Sequence, residues 1–479
     1  MPQLKQYWQN FIAGQWADGA QGRRLTVEDP AAARPLAEIA RAEPADADAA
    51  ARAARRAFDG PWKELAPLRR AELVRAVGRE LVGLAEEVAL AECLDNGKRI
   101  SAARGEAAAA ARYFDYYAGL VDKLEGRTIP LGPGYLDYLT YEPYGVTAHI
   151  VPWNFPLGIA ARSLAPALAA GNTAVVKSPA VSPLGCCLLA EACQRAGLPE
   201  GVVNLICGPG GETGGALLDH PEVDHVVFTG SVPTGRRIMA AAARRVIPCV
   251  LELGGKSAGL VMADADPART AADVAAAVFS HAGQICSAAS RLIVDRRLYP
   301  AMLEALAAEA GRLSMGPGME DHDLTPLISA DHRDSVAAHC ARALEDGIPA
   351  LCGGRPPEGL AGHFFPATVF KDVPPDHPLA QEEIFGPVLA VTPCDGPEEA
   401  VALANGTDFG LVAGVYTGDL ALAHWAAGRL RAGQVFVNQW FAGGVETPFG
   451  GWKRSGFGRE KGREGLFNYL QTKNVAVRL

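Results

Sequence analysis

Three segments carry side chains that could do chemistry together. LELGGK, Leu251 to Lys256, offers Glu252; Cys286 follows 34 residues after it in GQICSA; QEEIFGP, Gln381 to Pro387, then offers Glu383. A cysteine attacks a carbonyl as its thiolate, so a carboxylate base elsewhere in the chain gives such a thiol a use. Sulfur adding to an aldehyde builds negative charge on oxygen. Loss of hydride to a nicotinamide then leaves a thioester, which needs an activated water. The order of residues therefore predicts covalent oxidation of an aldehyde, with Cys286 as nucleophile, Glu252 as base and Glu383 on a cofactor.

Each residue also has a plain reading. A lone cysteine is most often an inert packing residue, and Glu252 alone could be a solvated charge at a strand end. Against this, Leu251 and Leu253 alternate around Glu252 on an apparent strand, and Gly254 and Gly255 would let backbone approach closely. Asn154, in VPWNFP between Pro152 and Pro156, can supply an amide N–H to an oxyanion from a fixed turn.

On the cofactor side, Phe228-Thr229-Gly230-Ser231 follows an apolar run and precedes a helical tract, the pattern of a dinucleotide cradle. GPGGETG, residues 208–214, is a second glycine turn containing Gly210, without a clean GxGxxG fingerprint. Lys177 ends an AVVK strand where an ammonium could meet a ribose hydroxyl or phosphate. Glu383 could accept ribose hydroxyls while Phe385 packs beside a nicotinamide. PFGGWKRSGFGRE, Pro448 to Glu460, reads as a packed loop closing a cleft.

These residues need elements to hold them. At 479 residues the chain is too long for one modest core and predicts two or three domains. A formal net charge of -9 gives no support to nucleic-acid or acidic-membrane binding. No stretch reads as a signal peptide or membrane span, so a cytoplasmic protein is expected. The ten cysteines form no CxxC framework and the histidines complete no zinc spacing, so no metal is assigned.

Helices are expected over 46–92, broken near Pro61 and closed at Asp95-Asn96-Gly97, and over 101–121. Residues 128–146 mix Pro, Gly and Tyr with β-prone runs. Strands at Val146–Ile150, Thr173–Lys177, Val202–Ile206 and His225–Phe228 alternate with helices near 160–169, 182–196, 212–218 and 233–245, which argues for parallel βαβ units. A second α/β stretch has helices near 267–281, 299–313 and 331–346, and strands at Arg291–Val294, Val388–Val391 and Val435–Val437. Tyr469–Leu479 reads as a strand that could join a partner's sheet edge instead of its own.

Taken together, NFIAGQWADG, PWNFP, FTGS, LELGGK, GQICSA, EEIFGP and PFGGWKRSGFGRE occur in the order found in the aldehyde dehydrogenase superfamily, which the chain resembles over nearly its whole length. The resemblance implies an α/β protein with a Rossmann-like cofactor domain (1–122 with 144–254), an α/β catalytic domain (255–453) and a small β oligomerisation element (123–143 with 454–479). It implies Cys286 as nucleophile, Glu252 as general base, and an oxyanion hole of the Asn154 amide with the Cys286 backbone N–H. The cofactor positions it implies are Ile150, Val151, Pro152, Trp153, Lys177, Ser178, Ala180, Gly210, Phe228, Thr229, Gly230, Ser231, Leu253, Gly254, Glu383 and Phe385. Phe155, Arg162, Ile285, Trp440, Gly443, Glu446 and Phe449 would surround the substrate. NAD is the expected cofactor, with NADP left open, and the chain would act as a homodimer or homotetramer on a small aldehyde.

Three departures from the family's pattern stand out. Ala180 replaces a Glu that in many NAD-preferring members binds both ribose hydroxyls and repels a 2′-phosphate. Arg162 and Ser163 stand where an aromatic residue and Lys are common, which puts a proton-relay path to Glu460 in doubt. Trp440, Phe441, Gly443 and Glu446 precede PFGG and suit an aryl aldehyde or one bearing a polar group. A coenzyme-A-acylating relative is the enzymatic alternative, though it would not need Glu252. A nonenzymatic cofactor-binding or structural homologue is the other alternative, and intact Cys286 and Glu252 argue against it.

Overall fold

The computed structural model describes residues 4–479. Two large sheets dominate it. The first has eight strands in the order Gly456–Phe457, Cys249–Leu253, His225–Gly230, Val146–Ile150, Thr173–Ser178, Val203–Cys207, Asn10–Ile12 and Gln15–Ala17. Its five central strands are parallel, as continuous Val- and Ile-rich runs separated by helices require. The chain runs from Val146–Ile150 outward to Val203–Cys207, then crosses back to place His225–Gly230 on the other side of Val146–Ile150. Such a reversal leaves a crevice at the carboxyl ends of the strands, where ligands of open α/β sheets bind. Register brings Ile150 level with Lys177, Phe228 level with Ile150, and Thr229 level with Glu252 along that edge.

The second sheet has seven strands in the order Ala350–Cys352, Thr368–Phe370, Val388–Cys394, Arg291–Asp295, Ala258–Val261, Val412–Tyr416 and Gln434–Val437. Four of these, Ala350–Cys352, Thr368–Phe370, Ala258–Val261 and Val412–Tyr416, were not expected. The first two are only three residues long, and the last two each carry an interior glycine, which weakens a strand signal. A Cβ on Gly414 would fall 2.5 Å from the Trp440 ring, so this glycine lets the indole pack flat on the sheet.

The helices expected over 46–92 are Pro44–Ala57, Pro67–Gly83 and Ala85–Asn96, and Gly97 closes the last at φ 84°, a left-handed turn suited to glycine. The helix expected from residue 160 starts earlier, at Pro156, because proline is accommodated at a first helical position. Leu470–Arg478 pairs antiparallel with Tyr135–Pro143 of its own chain through nine register positions, and Arg127–Thr128 completes this third sheet. Its outer edge stays open.

The loop from Pro448 to Glu460 belongs to no single unit. Gly456–Phe457 pairs with Cys249–Leu253 of the first sheet, whereas Trp452–Lys453 pairs with Phe409–Gly410 beside the second. A boundary after residue 453 that sends 454–479 to the oligomerisation element therefore separates Gly456–Phe457 from the cofactor sheet with which it pairs. No helix among the described residues is long and apolar enough to cross a membrane.

Candidate active site

Cys286 sits in the loop between helix Pro267–Phe279 and strand Arg291–Asp295, facing the carboxyl edge of the first sheet. His281, Ala282 and Gly283 all have positive φ, at 50°, 51° and 73°, so the chain turns sharply before the thiol. Non-glycine residues hold such angles only where surrounding contacts impose them. Here Gln284, fully buried, accepts from Ile328 N and donates to His281 O and Pro326 O, pinning the loop. Trp440 Nε1 donates to Ser287 O at 2.9 Å from behind.

Gly254 and Gly255 bring LELGGK against this loop. A Cβ on Gly255 would lie 2.6 Å from Cys286 O, and one on Gly254 would lie 2.0 Å from Glu383 Oε2. Any side chain at either position would push strand Cys249–Leu253 off the thiol loop or off Glu383.

Burial pushes the Cys286 thiol up to about 12, and the Arg162 cation works against it. Glu252 is 2% exposed, and neither carboxylate oxygen has a hydrogen-bond partner. Burial, reinforced by the Glu460 carboxylate, raises its pKa well above the ordinary glutamate range. Asn154, buried, donates its amide Nδ2 to Gln284 O at 2.9 Å, which docks the turn against the cysteine loop.

A cavity of about 430 Å³ carries Cys286 on its wall, with Asn154, Phe155, Ile159, Arg162, Ile285 and Phe449. Gly443 and Phe441 complete its outer side. Of the seven residues expected around the substrate, two are absent from the wall. Trp440 turns its indole into the core under the second sheet, where its N–H is spent on Ser287. Glu446 is a half-exposed surface carboxylate 3.9 Å from Arg112. Arg162 is on the wall, and its Nε is in ion-pair contact with Glu460.

Sequence reasoning missed the clamp behind this site. Glu92 accepts from Leu157 N at 3.2 Å and Glu106 from Gly158 N at 2.8 Å, the first free amides of helix Pro156–Ala170. Lys98, 1% exposed, pairs with both carboxylates and stands 4.5 Å over the Phe155 ring. Asn96 donates to Trp153 O at 2.5 Å. The visible signal was Asp95-Asn96-Gly97, just ahead of Lys98, and it was read only as a helix end.

The carboxyl edge also fits a dinucleotide. Ser231 precedes helix Val232–Arg245, so its free amides point at the crevice beside the unpartnered Thr229 hydroxyl. Lys177 has no protein ion-pair partner among the described residues, and burial lowers it to about 8. A Cβ on Gly210 would lie 4.0 Å from its Nζ, so the glycine turn and the ammonium face one space. Ser178 adds a buried hydroxyl there. Glu383 accepts from Gly255 N at 3.0 Å through Oε1 and is raised to about 7 by burial. Trp153 and Phe385 meet edge to face at 5.4 Å. Ile150, Val151, Pro152, Phe228, Gly230 and Leu253 line the same strand ends, and Ala180 leaves no carboxylate after Lys177.

The family model described as "Aldehyde dehydrogenase family" matches residues 16–475. A betaine aldehyde dehydrogenase from Bacillus subtilis is 39% identical over 97% of this chain and 96% of its own length. A 2-hydroxymuconic semialdehyde dehydrogenase from a Pseudomonas strain is 38% identical over 98% of this chain and 99% of its own. The NAD+ complex of an aldehyde dehydrogenase from Bacillus cereus superposes with a TM-score of 0.97 at 37% identity, covering 99% of this chain and 97% of that one. With two α/β sheets, a thiol loop between them and near-complete alignment to these relatives, the chain belongs to the aldehyde dehydrogenase family.

Proposed function

We propose that this protein oxidises an aldehyde to its carboxylic acid with NAD as electron acceptor, through Cys286. The observation that carries the reading is the shared cavity that presents Cys286 and Asn154 together, with Glu252 buried and unpartnered nearby. The Cys286 thiol gives up its proton to the Glu252 carboxylate, which passes it on to solvent; the sulfur then adds to the aldehyde carbon, and the carbonyl oxygen takes up negative charge facing the Asn154 amide and the Cys286 backbone N–H. When bound, the dinucleotide supplies a hydride acceptor, and loss of hydride from that carbon leaves an acyl–sulfur bond. Water then adds to the acyl carbon as Glu252 takes its proton. The carbon–sulfur bond breaks, the acid departs and the thiolate is restored.

Glu252 is built for the last step. A carboxylate with a raised pKa holds a proton well near neutral pH, and one without fixed hydrogen bonds is free to swing toward the acyl group. Lys177 and Glu383 would hold the two riboses, and the Val232–Arg245 helix start the pyrophosphate. NAD is favoured by the NAD+ complex of the Bacillus cereus relative. Ala180 leaves room for NADP. The open edge of the Leu470–Arg478 strand supports assembly as a dimer or tetramer, and a cytoplasmic setting is part of the same reading.

Relatives do not choose the substrate. A betaine aldehyde dehydrogenase and a 2-hydroxymuconic semialdehyde dehydrogenase are about equally similar, at 39% and 38% identity. The test is formation of reduced nicotinamide from an aldehyde panel, with and without coenzyme A. Coenzyme-A-independent turnover abolished in Cys286→Ala is expected. Glu252→Gln should keep a burst of about one reduced cofactor per site and then turn over roughly 10²- to 10⁴-fold more slowly. A strict coenzyme A requirement would overturn the hydrolytic reading.

A further inference from the structure

The proposed chemistry uses one of the ten cysteines, and two others meet beside the strand ends that face the cofactor crevice. Cys187 lies in the first turn of helix Leu184–Arg195, and Cys207 ends strand Val203–Cys207. Both are fully buried, and their sulfurs stand 3.9 Å apart. Register puts Cys207 level with Ser178, one residue past the Ile206 and Lys177 pair. The glycine turn in which Gly210 faces Lys177 begins directly after Cys207.

A thiol in such a place is ordinarily inert, because burial disfavours the thiolate. Cys207 is instead held below the ordinary thiol range. The Cys187 S–H does most of this, joined by the Ser178 hydroxyl and the Lys177 ammonium, and together they outweigh burial. The other nine thiols are raised, Cys187 first by the bond it donates to Cys207 and the rest first by burial. The support is mutual. Burial lowers Lys177 to about 8, and Cys207 and Cys186 supply the charges that oppose this. Cys207 is thus placed as an attacking thiolate and Cys187 as the thiol that resolves it.

We infer that Cys187 and Cys207 are a peroxide-sensitive dithiol whose disulfide weakens dinucleotide binding. The Cys207 thiolate attacks one oxygen of a hydroperoxide; the O–O bond breaks and the departing oxygen takes a proton. The Cys187 sulfur then gives up its proton and attacks the Cys207 sulfenic acid. The S–S bond forms as the S–O bond breaks and water leaves. Two thiols have then lost two electrons to one peroxide.

The sulfurs must close from 3.9 Å to about 2.0 Å. Both sides are tied down. Cys207 N donates to Asn10 Oδ1 at 2.8 Å, Cys207 O accepts from Ala42 N at 2.6 Å, and Leu184 N donates to Asp95 Oδ2 at 2.9 Å. Closure therefore strains the strand end from which the Gly210 turn springs, and it removes the negative charge beside Lys177. Both effects fall on groups proposed to hold the cofactor. The rival explanation is that two sulfurs merely fill the core, in which case the pair resists peroxide.

The experiment uses Cys286→Ser, which removes the thiol of the aldehyde chemistry. The protein is treated with hydrogen peroxide, alkylated, digested without reductant and mapped by mass, and affinity for NAD and NADP is measured by titration calorimetry. Expected is a cross-link between the peptides carrying Cys187 and Cys207, lighter by two hydrogens, with affinity at least about tenfold weaker. Dithiothreitol should reverse both. Both should vanish when Cys187→Ala or Cys207→Ala is added and persist with Cys186→Ala. Should Cys207→Ala fail to fold, Cys187→Ala decides. No cross-link, one that needs Cys186 instead of Cys187, or one with unchanged affinity overturns the inference and leaves the aldehyde function standing. No binding of either dinucleotide by the reduced protein overturns the inference together with that function.

Discussion

The backbone N–H of Gly158 donates to the Glu106 carboxylate at 2.8 Å, so an acid on one helix fixes the start of the helix that follows the Asn154 turn. Glu92 does the same for Leu157, and buried Lys98 binds both acids. Lys98→Met would leave two buried carboxylates without a cation. A loss of about 3–5 kcal/mol in unfolding free energy is expected, measured by urea denaturation. Glu106→Gln, which keeps an acceptor for Gly158, should lose less. Folded Glu106→Gln should show a lower kcat with unaltered cofactor affinity, because the clamp acts on the Asn154 turn.

Glu252 should make the enzyme less stable as pH rises. Its folded pKa lies well above 4.5, the value it has without burial, because burial disfavours the charged form. The neutral carboxyl is fully compatible with the fold below about pH 4.5. Stability is lost as pH climbs from there toward the folded pKa. Glu252→Gln removes that titration. Its melting temperature relative to the native protein should therefore rise between about pH 5 and pH 8. A constant difference across that range would refute the assignment.

Acid should act through two buried histidines. His149 is held between Ser163 Oγ at 2.9 Å and Thr147 Oγ1 at 2.8 Å, and His225 packs against Tyr144 and Tyr469. Burial lowers both to about 3, from 6.5. The unfolded chain therefore binds more protons between those values, and stability falls as pH falls through 6.5. His225→Phe keeps a flat ring where Nδ1 has no partner. It should lose about 2 kcal/mol less than the native protein between about pH 7 and pH 5, read from urea midpoints at each pH.

Cofactor choice should respond to position 180. Ala180→Glu would place a carboxylate near Lys177, able to accept ribose hydroxyls and repel a 2′-phosphate. NADP affinity should fall by at least about tenfold while NAD affinity holds or improves, measured by titration calorimetry without aldehyde. An equal change for both dinucleotides would place the adenosine ribose elsewhere.

The fold was legible wherever local pattern and tertiary role agreed. Val146–Ile150 was read with its observed limits because a buried parallel strand is a continuous apolar run. Ala258–Val261 escaped because Gly259 breaks such a run, and its packing against neighbours is invisible to a local window. At the site, the Gly254 and Gly255 reading rested on chain approach, and both glycines do face groups that a Cβ would strike. Trp440 and Glu446 were misplaced for the opposite reason. Proximity in sequence to the PFGG loop says nothing about which way a side chain turns, and these two turn away. The Glu92, Lys98 and Glu106 clamp was invisible because two acids on Ala-rich helices and a lysine in the loop between them ordinarily face water.

Ser455 is wholly buried where the two sheets meet. Its carbonyl accepts from Leu253 N at 2.9 Å and its hydroxyl from Gly410 N at 3.0 Å, so one residue is stitched to both halves of the molecule. Enzymes that open and close by swinging domains need a seam with few bonds across it. This one is bonded to both sides one residue past Glu252, so a swing of the two sheets would have to break those bonds beside the base itself. Motion of side chain and ligand between half-reactions breaks neither.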